Sequence, residues 1–305
     1  MTRATLAVIG GSGFYDMPGV EDVDQARIGT PFGETSDAIT IGTLAGVRTA
    51  FLPRHGVGHR LLPSELPQRA NIWALASLGV EHVISVSAVG SLREEIAPLD
   101  VVVPDQIIDR TRGDRPSTFF GRGIVAHIAF DRPFCSRLSA SLYDAGSAAG
   151  RDGADTHRGG TLIVIEGPAF STRAESYLYR SWGADIIGMT ALPEAKLARE
   201  AGMCYATLAC VTDYDTWHDD HGAVSVEMVV ANLRRNVVHA RAIVARVAGA
   251  LPARDCRCGA ALADAIITPL DRVPEATKHD LAPILARTHG QAAKSPPLPP
   301  VEAQR

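Results

Sequence analysis

The chain has 305 residues, 46% of them hydrophobic, with a formal net charge of -4 at pH 7 and 10 histidines. That is enough apolar material for one large α/β domain or two small ones. The mildly acidic balance offers no basic surface for nucleic acid or anionic lipid. No stretch approaches the roughly 18 apolar residues of a membrane span, and the apolar run of MTRATLAVIGGSG is too short for a signal peptide; a soluble, cytoplasmic protein is expected.

Short apolar runs rich in β-branched residues alternate with helical patterns. Strands are expected at Leu6–Ile9, Ala38–Ile41, Arg48–Leu52, His82–Ser87, Val101–Val103, Thr161–Ile165, Asp185–Gly188 and Tyr205–Val211. Helices are expected at Ala70–Leu78, Ser136–Ala149, Arg173–Ser181, Leu192–Ala201 and Ser225–Ala250. Continuous apolar strands separated by helices predict a mostly parallel sheet covered on both faces. Residues 112–123 (RGDRPSTFFGRG) lack periodicity and read as a loop. Pro252 ends the long helix, and Gly259–Thr288 carries two weak helical patterns. The sequence is expected to form a single domain over residues 1–290, followed by a disordered tail over 291–305 that contains KSPPLPP.

Ligands of such sheets bind beyond the carboxyl ends of the strands, so the strand ends carry the functional reading. The first strand runs into Gly10-Gly11-Ser12-Gly13, a turn that brings backbone N–H groups close to an anion and that serves equally as a plain tight turn or a dinucleotide loop. The G-x-G-x-x-G spacing of a dinucleotide site is absent. Arg54-His55 follows the next strand and suits an oxyanion, or a surface ion pair. Ser87, Ala88 and Gly90 end another strand, and Phe170, Ser171 and Thr172 follow a fourth. There the ring is placed either to stack on a ligand or to sit in the core beside a helix cap. Asp213 and Asp215 directly follow a buried strand and are candidates for an acid or a hydrogen-bonding role, or for a capped turn.

The cysteines are Cys135, Cys204, Cys210, Cys256 and Cys258, an odd and sparse set unlike a secreted disulfide framework. Cys256-Arg257-Cys258 is the only close pair. A metal site would need two further ligands, and the local sequence shows none; ordinary thiols, or a redox-sensitive pair, are the readings left.

Taken together, the stretches Val8–Gly13, Thr30–Gly33, Arg54–Gly56, Gln68–Leu75, Gly90–Ile96, Asp105–Thr111, Ile165–Pro168, Arg173–Ser176, Met189–Thr190 with Pro193-Glu194, and Thr212–Asp215 resemble, in order over residues 6–250, the 5'-methylthioadenosine phosphorylases of the purine nucleoside phosphorylase superfamily. The resemblance implies a three-layer α/β sandwich with a mixed, mostly parallel central sheet. It also implies a homotrimer, in some members paired into a hexamer. The implied reaction splits 5'-methylthioadenosine into adenine and 5-methylthioribose 1-phosphate, with inorganic phosphate as co-substrate and no metal or organic cofactor; phosphorolysis of 6-oxopurine nucleosides is the alternative. Carried over position by position, Ser12, Arg54, His55, Ser87 and Thr190 are expected to hold phosphate. Met189 and Ala88 are expected beside the sugar, and Phe170, Ser171, Asp213 and Asp215 at the base. Val226, Val229 and Val230 are expected to line the methylthio pocket, and His127 to reach that pocket from a neighbouring subunit. Asp213, protonated through burial, would supply N7 of the departing base. Gly188 stands where animal members carry Asn.

Overall fold

The computed structural model describes residues 4–11, 14, 17–113, 115–150, 154–218 and 226–289. Ser12 and the segment 291–305 lie outside them, and the side chain of Val226 is not described. Strand β1 (Leu6–Gly10) is buried at every position, as a strand covered on both faces must be. It is followed by β2 (Val20–Ala26), β3 (Ile39–Leu44), β4 (Val47–Pro53), α1 (Gln68–Ser77), β5 (His82–Ser91), β6 (Val101–Val103), β7 (Gln106–Arg110) and α2 (Ser136–Ala149). The chain continues through β8 (Thr156–Arg158), β9 (Thr161–Ile165), α3 (Arg173–Ser181), β10 (Ile186–Gly188), α4 (Ala191–Glu200), β11 (Cys204–Asp213) and α5 (Val226–Gly249), and ends in α6 (Glu275–Asp280) and α7 (Ala282–His289).

The strands form one mixed sheet with a main path β2-β3-β4-β1-β5-β10-β9-β7, while β11 pairs with both β5 and β6, and β6 with β8. Six pairings are parallel and four antiparallel, the mixed and mostly parallel sheet that was expected. One core cluster carries α1, α4 and the segment around Leu262, Val273 and Ile284 against the sheet; a second carries α2 and α5. These are the outer layers of a three-layer sandwich.

Three strands were invisible to the sequence pattern. β2 (VEDVDQA) is an acidic edge strand exposed at its five interior positions, so no apolar alternation marks it. β7 is mostly solvent-facing and β8 is three residues long. Strands β5 and β11 also run further than their apolar cores suggest, because their pairing continues to Gly90 opposite Asp213. Helix α3 is opened by a capping box: the Glu175 N–H donates to Thr172 Oγ1 at 3.2 Å and the Thr172 N–H to Glu175 Oε2 at 2.8 Å.

Candidate active site

Strand β5 changes partner along one edge. Leu6–Ile9 of β1 pairs with its first four residues, and β10 pairs antiparallel with Gly90 and Ser91 at its far end. Where β1 departs and β10 takes over, the sheet opens into a cavity of about 220 Å³. This is the kind of switch in sheet topology at which ligands bind. Its wall contains Arg54, His55, Ser87, Ala88, Phe170, Ser171, Met189, Thr190, Asp213, Asp215 and Val229. All of these were singled out from the sequence, where they lie far apart.

Arg54, at the end of β4, is 1% exposed and tightly held. Its Nε and Nη2 donate to Glu194 Oε2 and Oε1 at 2.9 and 3.0 Å, Nη1 to Val86 O at 2.9 Å and Nη2 to Ser85 Oγ at 2.6 Å. Glu194 also accepts from Ser85 Oγ at 2.7 Å and from the Tyr205 hydroxyl at 2.9 Å. The bidentate pair offsets the guanidinium charge and fixes its plane. His55 has Nδ1 2.8 Å from Leu61 O and stacks on His59 at 4.2 Å. Burial, the largest influence, lowers its pKa to about 4; at neutral pH it is uncharged, with Nδ1 donating to Leu61 and Nε2 an acceptor. The Ser87 and Thr190 hydroxyls lie 3.4 Å apart, and Thr190, although it precedes α4, makes no side-chain cap.

At the other end of the cavity, β11 follows β5 residue for residue up to Val211 opposite Val89, then slips by one so that Asp213 faces Gly90. A bulge of this kind re-aims a side chain, and here the carboxylate joins the cavity wall. Asn232 and Asn236 of α5 fasten the bulge, each Nδ2 donating at 2.8 Å, to Thr212 O and Val211 O respectively. Asp213 Oδ2 lies 2.7 Å from the Thr212 hydroxyl, and Oδ1 accepts the Asp215 N–H at 2.8 Å. Burial raises the pKa of Asp213, and that of Asp215 to about 6. Asp215 Oδ2 and Ser171 Oγ are buried without a hydrogen-bond partner among the described residues. Two orphaned polar atoms in one cavity wall call for a polar ligand edge, since such groups are rarely left unpaired.

Two further contacts surround Met189 of the cavity wall. Gly167 has φ +65°, and a Cβ there would lie 2.5 Å from Met189 Sδ, so glycine suits both the backbone and the thioether. Arg115 donates to Glu166 Oε1 at 2.7 Å, to Glu166 O and Met189 O at 2.6 Å, and to Leu192 O at 3.0 Å. It thereby clamps the ends of β9 and β10 together.

Helix α5 contributes Val229, Leu233 and Val237 to the wall, the i, i+4, i+8 face; of the three valines that the resemblance implies, Val229 lies on the wall, Val230 is 39% exposed and off it, and the side chain of Val226 lies outside the described residues. His127 is exposed and away from the cavity of its own chain, its N–H donating to Ala265 O at 2.9 Å. Sequence reasoning missed Glu194 as the partner of Arg54, which lies 140 residues away; only the matching Pro193-Glu194 stretch pointed to it. Arg115 was missed because its segment has no periodicity.

A sheet of this topology with polar strand ends around one cavity is the arrangement of a nucleoside phosphorylase, and the sequence model of the phosphorylase superfamily matches residues 5–248. S-methyl-5'-thioadenosine phosphorylase of Gloeobacter violaceus is 57% identical over 290 residues, covering 93% of this chain and 96% of the relative; that of Koribacter versatilis is 56% identical over 290 residues, covering 95% and 98%. A methylthioadenosine phosphorylase from an antarctic soil metagenomic library superposes with a TM-score of 0.88 at 48% identity, covering 93% of this chain and 99% of the other. The Schistosoma mansoni methylthioadenosine phosphorylase in complex with adenine superposes at 0.77 and 35% identity with the same coverage. The chain belongs to the S-methyl-5'-thioadenosine phosphorylase family.

Proposed function

We propose that the protein catalyses phosphorolysis of 5'-methylthioadenosine, releasing adenine and 5-methylthioribose 1-phosphate. The observation that carries this reading is the buried Asp213/Asp215 pair, with raised pKa values and an Asp215 Oδ2 that has no hydrogen-bond partner among the described residues, sharing one cavity with Ser87 and Thr190. A protonated Asp213 gives its proton to N7 of the leaving base as the glycosidic bond stretches. Asp215 and Ser171 pair with the remaining polar atoms of the base edge, and Phe170 packs on its ring. Phosphate sits beneath C1' against Ser87, Thr190, Ser12 and His55, where its charge stabilises the oxocarbenium-like sugar. Neutral His55 accepts a hydrogen bond from a protonated phosphate oxygen, and Arg54, charge-offset by Glu194, shapes the floor. Met189 and Ala88 flank the ribose, and the apolar face of α5, with Val226 at its start, receives the methylthio group. No group beyond phosphate is needed for the chemistry.

We further propose a single catalytic domain over residues 1–290 and a homotrimer, with His127 completing the cavity of a neighbouring subunit; a fully active monomer in sedimentation would exclude the trimer. Five free cysteines and, among the described residues, no helix long and apolar enough to cross a membrane support a cytoplasmic enzyme. The deciding assay is product analysis with methylthioadenosine, adenosine, methylthioinosine and guanosine, with and without phosphate. Adenine and a sugar phosphate should form fastest from methylthioadenosine and only with phosphate; faster turnover of methylthioinosine or guanosine would transfer the assignment to 6-oxopurine nucleosides.

A further inference from the structure

At the opposite end of β11 from the cavity, the four sulfur atoms of Cys135, Cys204, Cys256 and Cys258 lie within 4.8 Å of one another. The close Cys256/Cys258 pair had shown no further ligands in the sequence. The fold brings Cys135 from 121 residues away and Cys204 from 52 residues away. Cys135 immediately precedes α2, Cys204 opens β11, and Cys256 and Cys258 sit in the turn after α5.

We propose that these four thiolates form a tetrahedral zinc site that fastens the segment following α5 to the sheet. Zinc–thiolate bonds of about 2.3 Å place the sulfurs of a tetrahedral site about 3.8 Å apart. Cys256 Sγ lies 3.8 Å from Cys135 Sγ and 3.2 Å from Cys204 Sγ. All four belong to the free thiols of the chain. The supports are rigid: the Cys135 N–H donates to Tyr205 O and the Cys204 N–H to Glu81 O, each at 2.8 Å. Three of the cysteines are buried while Cys256 is partly exposed, which leaves a path for the ion. On binding, each thiol releases its proton to solvent and donates a sulfur lone pair, so the loaded site carries a net charge of minus two.

The site is structural. Nine residue steps of β11 separate Cys204 from Asp213, about 30 Å at the rise of an extended strand. What it holds is the segment running from Pro252 past Gly259, which also packs on the turn at Gly202: Arg254 donates to Gly202 O, and a Cβ on Gly202 would meet Gly259 O at 3.4 Å.

The test uses zinc itself. Protein produced in zinc-supplemented medium and purified without chelator should contain about one zinc per chain. Reduced, metal-free protein should take up one equivalent of Co²⁺ with the thiolate charge-transfer and visible bands of a tetrahedral sulfur site. The Cys256→Ser, Cys258→Ser double variant should lose the metal and melt at a lower temperature, yet retain nucleoside turnover at room temperature. Should that variant fail to fold, the cobalt titration of the unaltered chain still decides. Substoichiometric zinc with no cobalt spectrum would overturn the proposal, as would peptide mapping that finds these cysteines paired as disulfides in protein from a reducing cytoplasm.

Discussion

Gly90 and Asp213 face each other at the end of the β5–β11 ladder, so closely that a Cβ on Gly90 would lie 2.9 Å from Asp213 Oδ1 and 3.0 Å from the Ile187 side chain. The missing side chain is thus part of how the carboxyl group is placed. Gly90→Ala should push Asp213 off its position and lower kcat/KM for methylthioadenosine roughly 10- to 100-fold, the loss of one well-made hydrogen bond to a charged or reacting group. The phosphate KM should move little. An alanine variant as fast as the unaltered enzyme would show that the position of this carboxyl does not govern the reaction.

Base choice should rest on Asp213 itself. Adenine presents an acceptor at N7 beside an amino donor, and a protonated carboxyl group matches both; a 6-oxopurine presents two acceptors, which an amide serves better. Asp213→Asn should cut turnover of methylthioadenosine and raise the relative rate on methylthioinosine. The mismatch is worth on the order of 1–3 kcal/mol before any loss of proton donation. The ratio of kcat/KM for the two nucleosides in both proteins measures it, and an unchanged ratio would remove Asp213 from the base edge.

Arg54 and Glu194 should behave as one unit. Truncating either to Ala leaves the other charge buried and uncompensated, at a cost of roughly 3–5 kcal/mol, so each single variant should lose much of its thermal stability. The double variant should lose less than the sum. Strict additivity in thermal unfolding would mean that the bidentate contact is not what holds the cavity floor. In whatever folds, Ser87→Ala should raise the phosphate KM by about tenfold, for a hydrogen bond worth about 1–1.5 kcal/mol.

Glu200 gives a pH dependence of stability separate from catalysis. It is 4% exposed, accepts from Thr118 Oγ1 at 2.6 Å and from the Phe119 N–H at 2.7 Å, and burial lifts its pKa from 4.5 to about 7. The folded chain therefore binds this proton more tightly than the unfolded one. Its contribution is fully present below pH 4.5 and is lost as pH rises to about 7, at up to about 1.4 kcal/mol per pH unit. Glu200→Gln should flatten the unfolding free energy across that window, as read by denaturant titration at several pH values. An equally steep slope in the variant would assign it to other groups.

The buried strands and the helices were legible because their apolar runs follow the spacing of the element they form: LAVIG of β1 and the runs at the heart of β5 and β11 leave little choice. β2 escaped because a polar edge strand takes its conformation from the neighbour it pairs with, not from its own residues. Cavity-wall residues at strand ends, such as Ser87 and Asp213, could be read because the topology of such sheets gathers strand ends. Partners that exist only through packing could not: Glu194 against Arg54, Arg115 across two strand ends, and Leu233 and Val237 on the inner face of α5. The same blindness hid the fact that Cys135 and Cys204 share one place with Cys256.

The handover on β5 from β1 to β10 has a consequence for how such a cavity can diversify. On the proposed assignment, its phosphate end and its base end are both set by the spacing of hydrogen-bonded strands, so the gap between the attacking anion and the leaving group is as inflexible as the sheet. The 5' end, on the same assignment, rests on a helix face instead, at Val229, Leu233 and Val237. Exchanges there resize one corner of the ligand without disturbing the reacting atoms. A lineage built on this frame is free to drift among nucleosides that differ at the 5' carbon, while a change of base demands that the bulge of β11 be rebuilt.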